Sequence, residues 1–178
     1  MLVFFSIGDN FMDILKFKNG YIGKPGLVYG GRPKRENYIE GQLLINLGNP
    51  YSWKKSKYVK VEVQDLAESL SSYRSWLGTR IVDACKNGTS EQLEAWEQDY
   101  LTKVLALCQA ISSGRVRGLV CWCQDLRNYV PVKGLADKRC HVQILYGCCL
   151  SLIEKGLVPK EPVVDLQTGK PIDVFDLW

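Results

Sequence analysis

The sequence predicts an α/β fold: a three-layer sandwich around a mostly parallel, Rossmann-like sheet. Three observations carry this. Short apolar runs of strand length alternate with longer stretches of helical periodicity. Gly, Pro and Asn punctuate the boundaries between them. The chain has 178 residues and is 46% hydrophobic, which suits one domain with a real core and argues against disorder. We place a single α/β domain at residues 1–160 and read 161–178 as an extended tail packed on the domain or on a partner.

The apolar run Leu2 to Ile7 reads as the first strand. It has no basic flank, and Gly8-Asp9-Asn10 ends it too early for a signal peptide or a membrane span, so no membrane partner is expected. Residues 20–35 are rich in Gly and Lys/Arg, contain Pro25 and Pro33, and read as strand ends and loops. Leu43-Leu44-Ile45 suits a short strand before the break at Gly48-Asn49-Pro50.

A helix is expected from Gln64 or Asp65, because Leu66, Leu70, Tyr73 and Leu77 recur at helical spacing. It can continue past Gly78 to Cys85, and Asn87-Gly88 stops it. Thr89 or Ser90 is positioned to cap a second helix whose face is Leu93, Trp96, Tyr100, Val104, Leu107 and Ile111. Leu119 to Cys123 follows Gly118 and reads as a buried strand. Residues 124–139 read as a polar loop. The last helix is expected from Cys140 or His141 to about Lys155, with Val142, Leu145, Cys149 and Leu152 inward.

Seven cysteines, an odd number, without a secretory signal argue against a disulfide framework and for free thiols in a cytoplasmic setting. Four soft or borderline ligands stand out in two pairs, Cys121-Trp122-Cys123 and Cys140-His141, and His141 is the chain's one histidine. Strand alternation puts Cys121 and Cys123 on one face and turns Trp122 to the other, where core packing is expected. A strand's carboxyl end and the following helix start form the usual ligand crevice of an α/β sheet, where free backbone N–H groups favour anions and lower thiol pKa.

Three readings follow. In the first, Cys140 is a nucleophile or thiolate and His141 an acid/base or anion contact, at a site for a nucleotide-like or phosphorylated small molecule. In the second, Cys121, Cys123, Cys140 and His141 bind zinc as a structural metal. In the third, the thiols are core residues. No P-loop, dinucleotide fingerprint or paired carboxylates point to a named reaction.

Charge adds a further alternative. The net charge is +4, and residues 24–60 hold eight basic side chains against Glu36 and Glu40. Lys54, Lys55, Lys57 and Lys60 beside Trp53 suit a non-catalytic nucleic-acid or protein interaction module.

Several of these motifs occur together in one order: Gly31-Arg32-Pro33, Gly48-Asn49-Pro50-Tyr51, Tyr73 with Trp76-Leu77, Gly118 to Cys123, and Cys140-His141 with Leu145. Over residues 26–155 the chain resembles a family of bacterial and phage domains of unknown function, marked by a Gly-Asn-Pro-aromatic turn and a Cys-Trp-Cys strand followed by Cys-His. The resemblance implies a compact nucleotide-fold-like domain of bacterial or phage origin. It implies ligand-binding roles for Arg32, as a bidentate anion clamp, and for Asn49, Cys121 and Cys123. The chain departs from the family by its long segments 33–47 and 124–139 and by Val142 in place of a glycine.

Overall fold

The computed structural model describes residues 11–33, 45–54 and 59–178. In chain order the elements are β1 (Met12–Lys16), β2 (Leu27–Tyr29), β3 (Tyr51–Ser52), β4 (Val61–Glu62), α1 (Leu66–Trp76), α2 (Asp83–Asn87), α3 (Ala95–Ser112), β5 (Gly118–Cys121), β6 (Leu126–Tyr129) and α4 (His141–Glu154). The expected strands at Leu2–Ile7 and, apart from Ile45, at Leu43–Ile45 lie outside the described residues, and Ile45 itself is a buried residue outside any strand.

Four strands form one sheet in the order β2-β5-β1-β6. β5 runs parallel to both β1 and β2, and β6 runs antiparallel to β1. The fold is therefore α/β with a mainly parallel sheet. Register pairs Ile14 with Leu119 and Leu119 with Val28 on one face, and Leu15 with Val120 and Val120 with Tyr29 on the other. The first face joins the main core with α1, α3 and α4. The second carries a smaller cluster, Leu15, Tyr29, Val120 and Trp178, with Phe17, Tyr21 and Leu27 packed on it. Among the described residues no α-helix packs on that second face; Tyr21 of a 3-10 turn and the C-terminal Trp178 meet it instead. The C-terminal segment is also bound to α3, where Gln109 Nε2 donates to the carbonyls of Pro159 and Glu161, both at 2.7 Å.

β1 and β6 escaped the sequence reading. β1 is short, and its adjacent apolar residues Ile14 and Leu15 are buried on opposite faces, so its pattern shows no clean alternation. β6 reads Leu-Arg-Asn-Tyr, an edge strand with its middle exposed.

The helices start and stop for local reasons. Asp65 caps α1, its carboxylate accepting the Glu68 N–H at 2.8 Å. α1 passes into a π-helical stretch, Leu77–Val82, and then α2, which ends at Gly88 with φ +65°. α3 begins later than expected. Ser90–Gln92 forms a 3-10 turn, and Glu94 is the cap: its N–H donates to Glu97 Oε2 at 3.0 Å. Glu97 wins the cap because it also receives Trp76 Nε1 at 2.8 Å and Arg80 Nη2 at 2.6 Å, bonds a Thr89 cap would forfeit. α4 starts at His141, as the sequence indicates. Among the described residues no helix is long and apolar enough to cross a membrane.

Candidate functional site

The candidate site lies at the carboxyl end of β5. Cys121 is the last residue of that strand and Cys140 the residue before α4, so the parallel sheet brings a strand end and a helix start together. Gly30 ends β2 beside them, with its N–H bonded to Val120 O at 2.9 Å. A side chain there is excluded: a Cβ on Gly30 would stand 2.7 Å from Val142 Cγ2 of α4.

The Sγ atoms of Cys121, Cys123 and Cys140 all lie within 4.8 Å of one another. Cys121 and Cys140 are buried, each 1% exposed, whereas Cys123 opens to solvent. The three thiols share protons. Cys121 is held far below the ordinary thiol range because the Cys123 and Cys140 thiols donate to it. The Cys123 backbone N–H also points at Cys121 Sγ, at 3.4 Å. A second charge beside that thiolate is opposed, so Cys121 pushes Cys123 up to about 11. Cys140 is pushed higher still, by Cys121, then Cys123 and burial. The shared proton contacts favour the first negative charge on Cys121, whereas the sequence places the thiolate at Cys140. The helix-terminus effect expected at Cys140 is outweighed by the adjacent thiolate.

His141 is half-buried. Its Nε2 lies 2.6 Å from Gly30 O; a carbonyl only accepts, so Nε2 carries the proton. Nδ1 then carries the lone pair and lies 3.9 Å from Cys140 Sγ, and the Tyr73 ring meets the imidazole edge-on. Burial lowers the imidazole pKa, so His141 is neutral and acts as a strut between β2 and α4. It is not within the three-sulfur cluster, so the four-ligand set expected from the sequence is realised in three of its members.

The turn residues are joined to each other. Arg32 Nε and Nη2 both donate to Asn49 O, at 3.1 and 2.8 Å. The Asn49 amide donates to Ser69 Oγ at 3.0 Å and accepts the Tyr51 N–H at 2.8 Å. That pattern fastens the Gly-Asn-Pro turn to α1 and uses Asn49 for backbone bonding.

The basic residues spread out. Lys60 pairs with Glu94 at 3.4 Å and lies over Trp96. Lys54 lies over Trp53, and its charge acts on the Cys123 thiol. Lys55 and Lys57 fall outside the described residues.

Gln143 is the functional residue that the sequence reading passed over. Its Oε1 accepts from the Arg139 N–H at 2.8 Å, the Cys140 N–H at 3.2 Å and the Gln124 side chain, and its Nε2 donates to Asp137 O at 3.3 Å. It thereby fixes both ends of the 124–140 segment against the cluster. The signal was available: a Gln three residues beyond a helix's first cap position is the capping-box pattern.

No family model, curated protein or solved structure matches this chain, so the geometry alone carries the functional argument.

Proposed function

We propose that Cys121, Cys123 and Cys140 form a thiolate centre for a soft divalent cation, with zinc as the ion of first choice. The observation that carries this is the approach of three sulfurs to within 4.8 Å, two from the end of β5 and the turn after it and one from the residue before α4. Thiolates around tetrahedral zinc, at about 2.3 Å from the metal, stand roughly 3.8 Å apart. A contraction of about 1 Å or less brings these three to that spacing. Cys121 supplies the first thiolate, and metal binding takes the protons from the other two.

Three protein ligands leave a fourth position, on the side where Cys123 is exposed. Open fourth positions distinguish reactive zinc sites from closed structural ones. The small anionic ligand expected from the sequence, nucleotide-like or phosphorylated, fits this reading as the fourth donor, drawn by the positive charge of Lys54 near Cys123.

The test is elemental analysis of protein purified under reducing conditions and equilibrated with zinc. One zinc per chain is expected, with loss of it in Cys121→Ser and Cys140→Ser. Cobalt loading should give thiolate charge-transfer bands that also vanish in those variants. Less than about a tenth of a metal per chain, given that thiolate-zinc sites bind tightly, defeats the reading.

A further inference from the structure

We infer that the aromatic patch at the rim of the smaller core, Trp122 with Phe17 and Tyr21, is a binding surface for single-stranded nucleic acid, with the exposed Trp122 as its stacking platform. The sequence assigns Trp122 to the core, yet its side chain is 61% exposed. It is nevertheless held in place. Its ring packs on Phe17 with centroids 4.2 Å apart and planes at 30°, and its Nε1–H donates to Tyr29 Oη at 2.7 Å. Tyr29 is in turn stacked on Trp178, with centroids 5.4 Å apart and planes at 13°. A large indole kept rigid and uncovered has already lost the conformational freedom that ligand stacking would otherwise take away.

Cations accompany the rings. Lys18 and Lys24 lie 5.9 and 5.7 Å from the centroid of Tyr21, which packs on the same aromatic cluster. The acid on the neighbouring strand is neutralised: Asp13 is paired with Arg127 at 2.7 Å. Exposed rings interleaved with ammonium groups suit unpaired bases and the phosphates between them. A duplex offers no free base face to Trp122, and an aliphatic protein partner has no use for the ammonium groups. The surface is separate from the Lys54–Lys60 stretch read from the sequence, since Lys60 is engaged with Glu94.

The experiment is fluorescence anisotropy with a labelled oligothymidine of about twelve nucleotides, within the usual single-strand site size. Trp122→Ala should weaken binding about tenfold, the typical loss of one stacked base, while Trp122→Phe keeps most of the affinity. Lys18→Gln combined with Lys24→Gln should reduce the slope of log affinity against log salt by about 1.4, or about 0.7 per phosphate contact. Circular dichroism of each variant checks that the fold is kept, which the exposure of all three side chains favours. No binding at about 25 mM salt, a low concentration at which phosphate contacts are strong, overturns the proposal. So does unchanged affinity in Trp122→Ala, or equal affinity for duplex. Binding of polyglutamate that depends on Trp122, without binding of the oligonucleotide, also overturns it and reassigns the face to an acidic protein.

Discussion

Glu97 shows how one residue can organise several elements. Its carboxylate is almost fully buried and receives Trp76 Nε1 at 2.8 Å, Arg80 Nη2 at 2.6 Å and its own helix cap at 3.0 Å. Burial pushes this carboxyl up, but Arg80, Trp76 and the cap outweigh it and hold the group below its usual 4.5. A carboxyl depressed in the folded state stabilises fully above its unfolded value and loses that contribution as pH falls through the folded one. Glu97→Gln should therefore cost about 2 kcal/mol at neutral pH, in the range for hydrogen bonds to charged groups. The gap from the parent protein should narrow on acidification to about pH 3. Urea denaturation at the two pH values checks it, and a gap that stays constant contradicts the account. At the cluster the same reasoning explains why residue type alone misassigned the charge. Cys140 has the helix terminus, but Cys121 has two thiol donors and a backbone N–H.

At the scale of elements, the start of α4 sets the candidate site. The sequence located this helix correctly because Val142, Leu145, Cys149 and Leu152 repeat on one face and all are buried. What positions Cys140 is Gln143, which collects the backbone N–H groups of Arg139 and Cys140. Gln143→Ala should destabilise the protein by about 2–3 kcal/mol through unsatisfied buried donors. It should also weaken zinc binding about tenfold or more, as loss of outer supports does. Chelator competition and denaturation together test this, and Gln143→Glu, which keeps the acceptors, should recover much of the affinity. Unchanged zinc affinity in Gln143→Ala would remove its positioning role. Caps and turns of this kind are local and legible. The late start of α3 was not, because Glu94 prevails over Thr89 only through partners on α1 and the π-helical stretch.

For the whole molecule, the sheet divides the protein into two unequal cores. The larger lies under α1, α3 and α4. The smaller is aromatic and is closed by Trp178, which is 9% exposed and stacked on Tyr29. Trp178→Ala should therefore cost about 3 kcal/mol, at the lower end for removing a buried aromatic. It should also loosen the platform under Trp122, lowering oligonucleotide affinity without changing zinc stoichiometry. Chemical denaturation and the two binding assays separate these effects. A stability change under about 0.5 kcal/mol, the usual range for surface substitutions, would show that the C-terminal segment does not close this core.

By itself the sequence determined the class of fold, the helices α1 and α4, and the two cysteine pairs. Each depends on periodicity or composition within a few residues, which survives without knowledge of neighbours. Tertiary structure decided the rest. It chose β1 and β6 as strands, because a five-residue strand with apolar residues buried on both faces and an edge strand exposed at its middle both lack clean alternation. It left Trp122 in solvent, because β5 ends at Cys121 and the cover that Trp178 gives the smaller core stops short of the next residue. It took His141 to the Gly30 carbonyl and left three sulfurs together, because only the parallel pairing of β5 with β1 and β2 brings residues 30, 121 and 140 to one end of the sheet.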